Sequence, residues 1–227
     1  DGAGGGAMVN LTFIAHGTAT ELQARVDARW PLGPMVYHWV RQHVPRSPLE
    51  MQPYQACALY GLAQAYDGGH IVEIGCGLGF SAAMLAWGAP NAVITSVDID
   101  PEHVQTARAS LTAYPHVTVV EGDSRDAALR DGLGPLDMVF VDGDHGPEMV
   151  RDLAWFNALR PGGLLLVHDF NYQSAQHFPD VVWGVMAFLR AIGRAQPDVL
   201  LMECWGNKGP RGLVGVVRRE GEVYSCD

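Results

Sequence analysis

The chain has 227 residues and a mass of 24.5 kDa, enough for one well-cored domain with a short appended segment and too few for two full ones. Hydrophobic residues make up 48% and charged residues 18% of it, which excludes a disordered or collagen-like chain despite 27 glycines. Fifteen Lys and Arg against 25 Asp and Glu leave a net charge of -10, a field that opposes a phosphate backbone, so no nucleic acid is expected as a partner.

Residues 1–7 are glycine-rich and precede Met8, and they read as a flexible or tag-derived leader with Met8 as the natural start. Residues 8–53 form an irregular, helical N-terminal cap segment, broken by Pro31, Pro34, Pro45, Pro48 and Pro53. The rest, 54–227, reads as one domain. Its first strand covers 70–74 and runs into the glycine-rich 75–79, followed by a helix over 81–87 that Gly88 and Pro90 stop. A second strand is expected over 92–97, a helix from Pro101 to 113, and a third strand over 117–120. Nearly continuous apolar runs at 136–141 and 163–167 predict two strands buried on both faces, with a helix over 147–159 between them. After a helix over 181–194, the runs 199–204 and 213–217 are joined by a stretch too short for a crossover helix, which predicts an antiparallel hairpin. The fold class is therefore α/β: a seven-stranded, Rossmann-like sheet with helices on both faces and a C-terminal antiparallel hairpin. No apolar run approaches the ~20 residues of a membrane helix. Cys57, Cys76, Cys204 and Cys226 lack C-x-x-C spacing, and no secretory apolar region opens the chain, so a reduced, cytoplasmic protein with no membrane partner is expected.

Residues 72–81 read V-E-I-G-C-G-L-G-F-S, a strand entering a glycine turn that opens a helix. Glycines there let backbone approach a ligand and expose helix-start amides. The turn alone is weak evidence, and a ligand-free strand-to-helix turn would look the same. A nicotinamide fingerprint needs glycine where Phe80 stands, and a phosphate loop needs a Gly-Lys-Ser/Thr that is missing. More informative is the series of acids at successive strand ends: Glu73, Asp98, Asp123 and Asp142. In an open α/β sheet, ligands sit outside the carboxyl ends of the strands, so these carboxylates face one crevice. There Asp98 can take both hydroxyls of a ribose, and Asp123 with Ser124 can meet an adenine amine. Taken singly, each is equally readable as a solvated loop acid or a helix cap.

As a set, E-I-G-C-G-L-G, V-D-I-D-P and the final hairpin resemble the class I S-adenosylmethionine-dependent methyltransferases, from about Tyr54 to the end. The resemblance implies a methyltransferase domain over 54–227 with S-adenosyl-L-methionine as cofactor. It further implies that Glu73, Gly75, Gly77 and Gly79 line the cofactor, that Ser81 meets its methionine carboxylate, Asp98 its ribose and Asp123 its adenine. Ser124 and Asp142 complete that set, and Cys76 is only a small turn residue.

Two further segments, M-V-F-V-D-G-D-H-G-P-E from 138 and L-L-L-V-H-D-F-N from 164, bring polar groups to adjacent strand ends. Asp142, His168 and Asp169 make a three-ligand site for a divalent metal, magnesium or another divalent ion, with Asp144 or Asn171 as substitutes. Such an ion would orient a substrate hydroxyl and lower its pKa, and His145 could accept the proton. Asp142, Asp169 and His145 are thus the catalytic candidates. The pairing is similar to the metal-dependent small-molecule O-methyltransferases of the catechol and macrolide-sugar types. His168 departs from both, which hold aspartate or glutamate there, and imidazole suits zinc, iron or nickel better than magnesium. The alternative is structural: Asp142 on the cofactor, His168 bonded to a backbone carbonyl, Asp144 as a helix cap.

In this family the segment holding Trp30, Tyr37, Trp39, Met51, Tyr54 and Gln55 caps the substrate pocket, although aromatic residues at helical spacing are more often core. Phe170, Tyr172 and Trp183 read the same two ways, and histidines such as His103 default to surface or packing roles. The expected activity is methyl transfer to a hydroxyl of a small molecule, a natural-product sugar or phenol, and a homo-oligomer is left open. D-G-D-H replaces the D/N-P-P-Y/W motif of nucleobase N-methylation, although Arg211, Arg218 and Arg219 lie close enough in sequence to form a basic patch. The competing functions are a non-catalytic cofactor-binding or scaffold protein of the same fold and a nicotinamide-dependent oxidoreductase, which Phe80 disfavours.

Overall fold

The computed structural model describes residues 9–13, 30–45, 51–170, 178–204 and 210–225. They form one eight-stranded sheet with strand order β1-β7-β8-β6-β5-β2-β3-β4. The strands are β1 (Val9–Phe13), β2 (His70–Ile74), β3 (Val93–Asp98), β4 (Val117–Glu121), β5 (Leu136–Val141), β6 (Leu159–Val167), β7 (Val199–Cys204) and β8 (Pro210–Val217). The helices are α1 (Gly33–His43), α2 (Pro53–Gln64), α3 (Phe80–Gly88), α4 (Pro101–Ser110), α5 (Ala127–Gly132), α6 (Met149–Asp152) and α7 (Pro179–Ala191).

Strands β2 to β6 are parallel to their neighbours within that group, while β8 runs antiparallel between β6 and β7. The seven expected strands are all present. The eighth, β1, lies in the segment expected to be helical and pairs antiparallel with β7, Val9 opposite Glu203 through Phe13 opposite Val199. Val9–Phe13 stands apart from the alternating strands and helices that begin at residue 70, and the edge of β7 supplies the partner that defines it. The segment expected as one helix over 147–159 is instead the short α6 followed by a 3-10 turn, Leu153–Ala158, which tucks Trp155 and Phe156 into the core.

Period-2 alternation divides the central strands between two cores. Ile71, Met138 and Phe140 pack with Leu59, Leu62, Met84 and Leu85 of α2 and α3. Val72, Val139 and Val141 face the other way, toward Trp155, Phe156 and Phe188. All six residues of β5 are buried, because helices cover both faces of a parallel sheet. Near the end of the chain, Arg194 bonds Asp198, Glu222 and the Val217 carbonyl. This ties the tail to the sheet by charge-assisted bonds. The strand order reverses at β2, which has β3 on one side and β5 on the other, and that reversal opens a crevice at the carboxyl ends of the strands.

Candidate active site

One half of the crevice is made by the turn after β2. Gly75, Gly77 and Gly79 have φ of 88°, 47° and 95°, the left-handed region that side chains disfavour. At Gly75 a Cβ would run into the Asp142 carbonyl and come within 2.8 Å of the Gly143 Cα, so the turn after β2 and the loop after β5 touch backbone to backbone. The Gly77 N–H donates to Asp98 Oδ2 at 2.9 Å, and the Asp100 N–H donates to Asp98 Oδ1 at 2.9 Å. Asp98 thus secures the glycine turn from β3 while each oxygen retains a lone pair. His103 Nδ1 stands 3.7 Å from the same carboxylate, its side chain 44% exposed. Glu73 is fully buried and accepts from the Ser96 hydroxyl. Burial pushes its carboxyl up to about 7, against hydrogen bonds from Ser81 and Ser96 that lower it, and Asp142 and Asp98 add to the rise.

The other half lies at the ends of β5 and β6. Register pairs Val141 with Val167, so Asp142 and His168 leave adjacent strands side by side. His168 Nδ1 lies 2.8 Å from Asp142 Oδ1. Asp169 has φ of 55°, a left-handed turn that Asp tolerates better than most side chains, and its Oδ2 lies 3.2 Å from His145 Nε2 and 3.6 Å from His168 Nδ1. His145 Nε2 is also 3.8 Å from Asp142 Oδ1, and its ring rests on Phe178 with centroids 4.5 Å apart. The side chain of His145 is 32% exposed against 4% for His168, so of the two imidazoles His145 is the one an incoming molecule can reach. One donor atom from each of Asp142, His145, His168 and Asp169 falls within 4.8 Å of the others. Two carboxylate oxygens and two imidazole nitrogens so gathered fit a divalent cation.

A family model described as a methyltransferase domain matches residues 72–170, the stretch that holds both halves of the crevice. A catechol O-methyltransferase of Niastella koreensis is 30% identical over 128 residues, covering 53% of this chain and 58% of the relative. The chain spans about half the length of the curated relatives it matches. The fold is shared with an O-methyltransferase from Bacillus cereus in complex with SAH, at TM-score 0.61 and 21% identity over 90% of this chain and 93% of that one. It is shared also with the O-methyltransferase TomG from Streptomyces achromogenes in complex with SAM, at TM-score 0.62 and 23% identity over 90% and 91%.

Most of the remaining sequence candidates are engaged by the protein itself. Asp123 is forked by Arg125, whose Nε and Nη2 donate at 2.7 Å each, and this pair holds its carboxyl below the usual range. Ser124 donates its hydroxyl to Asp152 Oδ1 at 2.6 Å, while the Trp155 indole donates to the Ser124 carbonyl at 2.8 Å. Burial pushes Asp152 up to about 6 despite the Ser124 bond. Neither Asp152 nor Arg125 stood out in the sequence, because each is one charge within a helical or loop segment with no motif around it. Ser81 is buried at the second position of α3. Asp144 accepts from the Gly146 N–H at 2.8 Å and shapes its own loop. Tyr37 stands edge-on to Phe80, centroids 5.8 Å apart, so α1 reaches the glycine turn. Gln55 is completely buried against His168. Trp183 is 62% exposed on α7. Asn171, Tyr172, Cys226 and residues 1–7 lie outside the described residues. Among the described residues no helix is long and apolar enough to cross a membrane.

Proposed function

We propose that this chain transfers a methyl group from S-adenosyl-L-methionine to a hydroxyl of a small molecule, a natural-product sugar or phenol, and that a divalent cation assists. The observation that carries the reading is the grouping of Asp142, His145, His168 and Asp169 within 4.8 Å at the strand ends beside the glycine turn. The cofactor supplies an electrophilic methyl on a sulfonium. When bound, a divalent cation supplies Lewis acidity that lowers the pKa of the acceptor hydroxyl; Asp142, Asp169 and His168 would hold it.

The chain's own residues do the rest. Glycine-turn backbone and Asp98 would bind and orient the nucleoside end of the cofactor. His145, the more exposed imidazole, takes the hydroxyl proton on Nε2, and Asp169, 3.2 Å from that nitrogen, stabilises the resulting imidazolium. The acceptor is no nucleic acid on this reading. The net charge of -10 opposes phosphate, and the Arg218 guanidinium donates to the Asn157, Leu159 and Glu222 carbonyls. The test is a panel of hydroxylated metabolites with S-adenosylhomocysteine release as readout, each run with and without divalent cations. Turnover that Asp169→Ala abolishes while cofactor affinity holds supports the reading. Cofactor binding with no turnover across catechols, phenols and sugars would leave a non-catalytic binding protein of the same fold.

A further inference from the structure

Gln55 occupies an unusual position for a cap residue. At the start of α2, the Gln52 N–H donates to Gln55 Oε1 at 3.0 Å, one arm of a reciprocal capping box. His168 Nε2 lies 3.0 Å from the same oxygen. An amide can be turned end for end to suit a partner, but a backbone N–H can only donate, so the atom facing Gln52 must be oxygen. That oxygen has two lone pairs: one takes Gln52 N–H, and the other can bond His168 only if Nε2 carries a hydrogen. The Gln55 Nε2 group is left buried and without a partner among the described residues, which marks an orientation imposed by the helix cap rather than chosen by the amide.

With its proton held on Nε2, neutral His168 turns the lone pair of Nδ1 toward Asp142 Oδ1 at 2.8 Å and Asp169 Oδ2 at 3.6 Å. Lone pairs do not face carboxylate oxygens at that distance unless a cation or a proton lies between them. His145 Nε2 opens onto the same space. We propose that Gln55 is a positioning residue that fixes the Nε2–H tautomer of His168, so that Nδ1 serves as a ligand and the site selects a divalent transition ion of the zinc class over magnesium. The selection rests on the metal reading above; the tautomer does not. The His168 imidazole beside two carboxylates forms a borderline donor set, whereas magnesium takes oxygen donors and keeps its waters.

The experiment is long-range proton–nitrogen NMR on the full chain labelled with 15N-histidine, with His168→Gln assigning the signal, together with zinc and magnesium titrations by calorimetry. In the unmodified protein, His168 Nε2 should show a bonded hydrogen with and without zinc, and zinc should shift Nδ1. Gln55→Met keeps the bulk but loses the acceptor; Nε2–H should no longer dominate, and zinc affinity should fall about 10- to 100-fold, the usual effect of losing such a partner. Because that variant also weakens the cap, a gentler pair isolates the orientation. Gln52 has φ of -69°, which proline adopts, so Gln52→Pro removes the orienting N–H while Gln52→Ala retains it. The tautomer should change in the first and persist in the second. A His168 Nε2 without hydrogen in the unmodified protein overturns the proposal, as does a tautomer indifferent to Gln55. Magnesium binding as tightly as zinc overturns the selection. Failure to bind either ion, with the tautomer still set by Gln55, refutes the metal reading and leaves the positioning role standing.

Discussion

The two halves of the crevice are built by different means. Around β2 and β3 the site is mostly backbone: three left-handed glycines, an N–H held by Asp98, and a contact with the loop after β5 that leaves no room for a side chain. Around β5 and β6 it is side chains, drawn from three places in the chain and held by one another. A backbone cradle is sensitive to added atoms where backbones touch and tolerant of charge, whereas a cluster of carboxylates and imidazoles is sensitive to each functional group and tolerant of shape. Substitutions in the two halves should therefore fail in different ways.

The sharpest contrast lies within the glycine turn. Gly75→Ala places a Cβ against the Asp142 backbone at φ of 88°, and neither loop can retreat without breaking the sheet ends. It should yield little folded protein, read by circular dichroism and denaturant midpoint. Gly77→Ala meets nothing within 4 Å, so it should cost only about 1–2 kcal/mol of left-handed strain. Equal losses at both sites would mean that close approach is not what shapes the turn.

In the side-chain half, His145→Ala should leave stability and cofactor affinity near their starting values while the rate falls about 10²–10⁴-fold. The deficit should narrow at high pH, where the acceptor ionises unaided. A variant as active as the parent at neutral pH would remove His145 from the chemistry.

Glu73 joins the two halves electrostatically, since both Asp98 and Asp142 raise its pKa. Its carboxyl sits at about 7 when folded against 4.5 as an ordinary glutamate, so between those values the folded state keeps a proton that the unfolded state has lost. Stability is then fully present below pH 4.5, falls as pH rises toward 7, and levels off above it. At ~1.4 kcal/mol per pKa unit the loss is on the order of 3 kcal/mol. Glu73→Gln should flatten most of that slope in urea midpoints, leaving the smaller fall up to about 6 due to Asp152. An unchanged slope would show that Glu73 is ionised in the fold.

The most specific of these effects concerns Asp98. Asp98→Ala should weaken S-adenosylhomocysteine by roughly 10- to 150-fold, at about 1.5–3 kcal/mol for bonds to a charged acceptor. Part of that loss comes from the released Gly77 N–H, so Asp98→Asn, which keeps one acceptor oxygen, should recover some affinity. Unchanged affinity in calorimetry would reject the ribose assignment.

Sequence alone determined the parallel core, the glycine turn and the terminal hairpin, because each rests on local rules: apolar runs, turn residues, and a connection too short to cross over. It also picked out Asp142, His145, His168 and Asp169, since strand ends in such a sheet open on one crevice. Three things only the tertiary structure decided. β1 became a strand because β7 offered an edge, not because Val9–Phe13 demanded one. Ser124 gave its hydroxyl to Asp152, 28 residues away in sequence, and no pattern foretells such a partner. Gln55 met His168 across 113 residues, so the hydrogen on one imidazole nitrogen is set by the cap of a distant helix. Local chemistry is written along the chain, but the choice of which lone pair faces which proton requires the chain to be folded.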